Sequence, residues 1–160
     1  MRFYFSIILA LASFSSFSQK KISWPVLELI QVSTSMDTIS QILEERKFEF
    51  DSNEQVTNDN IIYIKTYFIK RAKTPLAQEA VIIYRQKDSL YNSGVEYVTS
   101  DKLIFNEWKA TCIHYPQLYK KIYDNSEDGC LITVYESSSF RKVFKDCASN
   151  SKHLYRITFQ

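Results

Sequence analysis

The run I-I-Y-I-K-T-Y-F-I (61–69) alternates strongly apolar side chains with amphipathic or charged ones. A period of two is the signature of a strand with one buried face. Its parity assigns Ile62, Ile64 and Phe68 to one face and Tyr63, Lys65 and Tyr67 to the other. A helix would spread the same apolar groups around its circumference. Runs of this kind recur along the chain. F-E-F (48–50) reads as a strand stub, and E-A-V-I-I-Y-R (79–85) and Y-N-S-G-V-E-Y-V (91–98) read as strands separated by polar turns. A second set comprises L-Y-K-K-I-Y-D (118–124), C-L-I-T-V-Y-E (130–136), S-F-R-K-V-F-K (139–145) and H-L-Y-R-I-T-F (153–159).

Helical spacing precedes each set. W-P-V-L-E-L-I-Q-V carries Pro25 where a first helical turn tolerates it. In T-S-M-D-T-I-S-Q-I-L-E-E-R-K, Thr34 and Asp37 have capping-box spacing, and Met36, Ile39, Ile42 and Leu43 form one stripe, which predicts a helix over 35–47. T-S-D-K-L-I-F-N-E-W-K-A-T-C predicts a capped amphipathic helix from about Ser100, with Ile104, Phe105, Trp108 and Cys112 on its apolar side and Pro116 ending it. The order is helix plus four strands, twice, so the expected class is α+β. Two α-β-β-β-β units, 19–99 and 100–160, would share one antiparallel sheet with the helices on one face. Either unit alone is too small to bury an adequate core, so the pair is read as one compact domain.

The first 18 residues predict a signal peptide. Arg2 precedes an apolar run too short to span a bilayer, and Ser16 and Ser18 suit a cleavage site before Gln19. An uncleaved anchor helix is the alternative. The expectation is export, to the periplasm or beyond, with no membrane span after cleavage. Aromatic residues make up 15% of the chain and only 2 residues are glycine, which excludes a disordered or low-complexity chain. A net charge of +2 gives no electrostatic case for nucleic acid.

An exported chain with three cysteines invites a disulfide. In a helix–strand–strand–strand meander, Cys130 begins the second strand and Cys147 follows the third, at the same end of the sheet. Cys112 sits about a strand length away, roughly 20 Å, whereas a bridge needs Cα atoms within about 7 Å. The pair Cys130–Cys147 is therefore expected, with Cys112 a buried thiol. Three reduced thiols are the alternative.

Few segments resemble a chemical site. D-N-S-E-D-G (124–129) opens like a calcium loop, with oxygen side chains at Asp124, Ser126 and Asp128 before Gly129. Its twelfth position is Tyr135, and Glu136 arrives one residue late. The strand-forming residues that follow make it a hairpin turn instead. Ser139–Lys142 and Ser149–Lys152 have Ser-x-x-Lys spacing, but outside a helix the two side chains do not share a face. His114 and His153 have no ligand-spaced partners, and Gly94 and Gly129 alone cannot make a phosphate loop. The acidic residues between Glu44 and Asp59 read as a solvated face. No metal and no cofactor is expected.

The remaining feature is a sheet face. If Ile62, Ile64, Phe68, Ile132, Val134, Phe140 and Phe144 face the helices, the opposite face carries Tyr63, Lys65, Tyr67, Thr133, Tyr135, Arg141, Lys145 and Arg156. Tyrosine and arginine are enriched in binding interfaces, although tyrosine and threonine also suit exposed strands. The segments S-T-S-M-D-T-I-S-Q-I-L-E-E-R-K-F-E-F (33–50) and I-Y-D-N-S-E-D-G-C-L-I-T-V-Y-E-S-S-S-F (122–140), in this tandem order behind a leader, resemble the β-lactamase-inhibitor-protein-like architecture and small secreted proteins of Gram-negative bacteria. That resemblance implies binding of a protein or peptide without catalysis. The expected function is thus an exported, inhibitor- or immunity-like binding module using Tyr63, Lys65, Tyr67, Tyr135, Arg141 and Arg156. A periplasmic enzyme with a site assembled from scattered residues is the alternative.

Overall fold

The computed structural model describes residues 21–71, 79–149 and 152–160. The predicted leader, 1–18, lies outside them. Among the described residues are helices α1 (Trp24–Val32), α2 (Met36–Glu44) and α3 (Lys102–His114). The strands are β1 (Glu49–Asn58), β2 (Ile61–Lys70), β3 (Glu79–Gln86), β4 (Asn92–Thr99), β5 (Lys120–Glu127), β6 (Cys130–Glu136), β7 (Arg141–Ser149) and β8 (Lys152–Phe159). They form one sheet in the order β1-β2-β3-β4-β8-β7-β6-β5, and every pairing is antiparallel. The α+β class follows directly. None of these helices is long and apolar enough to cross a membrane.

Local chemistry explains where the elements start and stop. Pro25 sits in the first turn of α1, as expected. The cap of α2 is Ser35 rather than Thr34: its hydroxyl accepts from the Thr38 amide at 3.3 Å. Asp101 caps α3 through the Leu103 and Ile104 amides. β1 is a ten-residue strand, not a stub. Its D-S-N-E-Q-V-T-N stretch has no apolar alternation, yet the two-residue Asp59-Asn60 turn, with φ of 48° and 64°, folds it back along β2. Asp128 and Gly129 make the matching turn between β5 and β6, with φ of 49° and 76°. Both are positive-φ hairpin turns that suit Asp, Asn and Gly. D-N-S-E-D-G is accordingly a hairpin: its first four residues belong to β5, where Asp124 is held by Lys121 at 2.9 Å and by the Thr133 hydroxyl at 3.1 Å.

Paired residues in an antiparallel sheet share a face. One face carries the row Phe68, Val81, Tyr97, Ile157, Phe144 and Thr133, and beside it Thr66, Ile83, Val95, Phe159, Lys142 and Tyr135. Most of these join Leu27, Ile30, Ile39, Leu43, Phe105, Trp108 and Cys112 of the helices in one buried cluster. We call it the core face. The other face carries Tyr67, Ile82, Glu96, Thr158, Val143 and Val134 in one row, and Val98, Arg156, Lys145 and Ile132 in the next.

The cysteines pair as expected. Cys130 and Cys147 stand directly opposite each other on β6 and β7 and are bridged, with Cα atoms 4.1 Å apart. Cys112 is a free thiol buried on α3.

A candidate binding groove

The second face is concave. Val56, Thr57 and Asn58 of β1, Tyr63 and Lys65 of β2, and Val143 and Lys145 of β7 line one groove of about 570 Å³. In the strand order, β1 and β7 are five spacings apart, about 24 Å if the sheet were flat. A shared groove therefore requires the sheet to curl. Register shifts at Phe50/Ser52 and Tyr84/Arg85 mark bulges in β1 and at the β3–β4 pairing, where local twist increases.

The floor belongs to β4. Gly94 pairs with Tyr84, and a Cβ at position 94 would lie 3.3 Å from the Phe159 carbonyl oxygen and 3.8 Å from the Tyr84 ring. A side chain there would crowd the Phe159 carbonyl, while the Tyr84 ring would be at ordinary contact distance. Next to it, Glu96 is buried yet lines the groove. Its two carboxylate oxygens are separately engaged: Arg156 donates to one at 2.8 Å and the Tyr84 hydroxyl to the other at 3.1 Å. Burial and the adjacent carboxylate push the Tyr84 hydroxyl well above the usual tyrosine range. Tyr84 is therefore a neutral donor here and no general base. The Lys65 ammonium lies 5.6 Å from the centre of the Tyr84 ring.

The predicted surface residues separate into three groups. Tyr63 and Lys65 line the groove. Arg156 shares the groove face with Lys145 but is not part of the lining, and it pairs with Glu96. Tyr67 shares the face, but its hydroxyl donates to Glu54 at 2.6 Å, and that bond, followed by burial, pushes it up to about 12. Arg141 lies on the same strand parity as Val143 and pairs with Glu136 at 3.1 Å, outside the lining.

Tyr135 is a correction. It lies on the core face, 4% exposed, with its ring 5.9 Å from that of Phe144. Thr133 follows it, while Ile132 and Val134 face the groove side. The reason is register. C-L-I-T-V-Y is apolar or β-branched at nearly every position, so its alternation carries no parity. The Asp128-Gly129 turn and the Cys130–Cys147 pairing set it, and a one-residue slip exchanges the faces.

Sequence reasoning missed Tyr84, Gly94 and Glu96. The available signal was Glu96 between Val95 and Tyr97: a charge inside a buried strand must be paired. It also missed Lys142, which lies between Phe140 and Phe144 at two-residue spacing and so faces the core. Lys142 is 0% exposed, pairs with Glu28 at 2.7 Å, and has the Trp24 and Phe159 rings each 4.5 Å away. Burial holds it below the usual lysine range, opposed by Glu28. It is sealed from solvent, so it joins α1 to β7 and offers nothing to a ligand. Ser139, its Ser-x-x-Lys partner in sequence, is exposed.

Among the described residues, no three His, Cys, Asp or Glu side chains converge as metal ligands. Comparison with protein families, with curated proteins and with solved structures gave no match to this chain.

Proposed function

We propose that this chain is an exported, non-enzymatic binding module, inhibitor- or immunity-like, that holds a protein or peptide on its concave sheet face. One observation carries the reading: a groove of about 570 Å³ lined by Tyr63, Lys65, Tyr84, Glu96 and Lys145, with glycine at its floor. That volume lies within the range of ligand-binding clefts. Its two tyrosines, Tyr63 and Tyr84, are the kind of side chain that interfaces favour.

The fold reading belongs with it. The two α-β-β-β-β units, joined at β4 and β8, place their helices on the core face and leave the concave face to the partner, as in the β-lactamase-inhibitor-protein-like architecture. The Cys130–Cys147 bridge supports export to an oxidising compartment after loss of residues 1–18.

Affinity capture from cell-envelope extract with the chain from Gln19 tests the reading. A stoichiometric partner that is lost on Tyr63→Ala plus Lys65→Ala is the expected result. A partner retained by that variant would place binding elsewhere. Turnover of a small molecule in the groove, with no partner captured, would favour the enzyme alternative.

A further inference from the structure

The groove lining is electrically unbalanced. Its side-chain carboxylate, Glu96, is neutralised by Arg156 at 2.8 Å and bonded by Tyr84. Its two ammonium groups are not matched in this way. Lys65 reaches Glu54 only at 4.0 Å, and Glu54 is already bound to the Tyr67 hydroxyl at 2.6 Å. Lys145 makes no ion pair among the described residues. The two lysines come from β2 and β7, opposite flanks of the curled sheet, and line the same groove.

Resting on the binding reading above, we infer that the groove's ligand is an acidic, extended protein segment, whose carboxylates pair with Lys65 and Lys145. Charge complementarity selects acid, because only an anionic partner improves both lysines without disturbing Glu96. The remaining lining selects a peptide over a bare anion. Thr57, Asn58, Ser93, Thr158 and Gln160 offer neutral donors and acceptors that match a peptide backbone, and Tyr63 and Tyr84 offer ring surface for its side chains. A phosphate-rich polymer would call for a broad basic surface, and the chain's net charge is only +2.

The test titrates the chain from Gln19 with two fluorescent hexapeptide pools, one with Asp or Glu at alternate positions and one with Asn or Gln there. The amide NMR signals of Tyr63, Tyr84 and Gly94 are followed in the same samples. The acidic pool should bind about tenfold more tightly, the effect of two part-exposed ion pairs. Its advantage should vanish in Lys65→Gln plus Lys145→Gln, shrink at high salt, and survive Lys87→Gln on the exposed β3–β4 turn. Equal binding of both pools at the groove signals would overturn the charge inference and leave the binding reading intact. Displacement by inorganic phosphate at equal concentration would overturn it in favour of a simple anion site. If neither pool moved the groove signals, both readings would fall.

Discussion

Among the described residues each face of the sheet buries one charged side chain, and the two are handled differently. On the core face Lys142 is enclosed by aromatic rings, with Glu28 as its carboxylate. On the concave face Glu96 is held by Arg156 and Tyr84 at the wall of an open groove. Lys142 is consumed by the fold. Glu96 is likewise satisfied, but Lys65 and Lys145, which line the same groove, have no close carboxylate of their own among the described residues. Burial alone therefore does not mark a site; unspent charged groups beside an accessible space do.

The largest expected effect breaks the core side of this contrast. Lys142→Ala leaves Glu28 without its cation and opens a hole among the rings, and should cost about 3 kcal/mol in urea unfolding. Lys142→Met keeps the stem volume without the charge and should cost less than about 1.5 kcal/mol. Equal losses from both variants would mean that the ion pair, rather than the packing, dominates. Tyr135→Ala should also cost about 3 kcal/mol, whereas Tyr63→Ala should stay within about 0.5 kcal/mol. Reversal of that pair would restore the open-face assignment expected for Tyr135.

Next in size is the bridge. Cys130–Cys147 closes 17 residues, which chain entropy values at about 3 kcal/mol. Reduction should therefore lower unfolding stability by up to about that amount. Asn92 comes third. Its amide nitrogen donates to the Ile30 and Ser33 carbonyls at the end of α1, and its oxygen accepts from Arg85. Asn92→Ala strands those carbonyls and should cost about 1–3 kcal/mol by thermal unfolding.

The smallest effect concerns pH. Burial pushes the Cys112 thiol up from 9.0 to about 12, and Glu54 with burial raises Tyr67 from 10.0 to about 12. Unfolded chains ionise these groups at their ordinary values while the native chain keeps them protonated. Their contribution is therefore complete below pH 9 and is lost as pH rises through about 12. Melting curves should decline above pH 9, and Cys112→Ala should delay the onset. An unchanged onset would exclude the thiol as a cause.

Much of the fold was legible because the run at 61–69 alternates, the short apolar runs are bounded by polar turns, and Pro25 and the apolar stripes mark the helices. β1 was not, because exposed D-S-N-E-Q-V-T-N has no apolar period and only the Asp59-Asn60 turn betrays it. Half of the groove was legible for the same reason: Tyr63 and Lys65 sit on an alternating strand. Gly94, Glu96 and Tyr84 meet only through the β3–β4–β8 register, a nonlocal fact that local periodicity does not encode.

The central claim is that a partner sits on the concave face. A photocrosslinking residue installed in turn at Tyr63, in the groove, and at Leu103, 78% exposed on α3, tests it most directly in intact envelopes. The account predicts one discrete crosslinked product from position 63 and none from position 103. A discrete product from position 103, with position 63 silent, would contradict it.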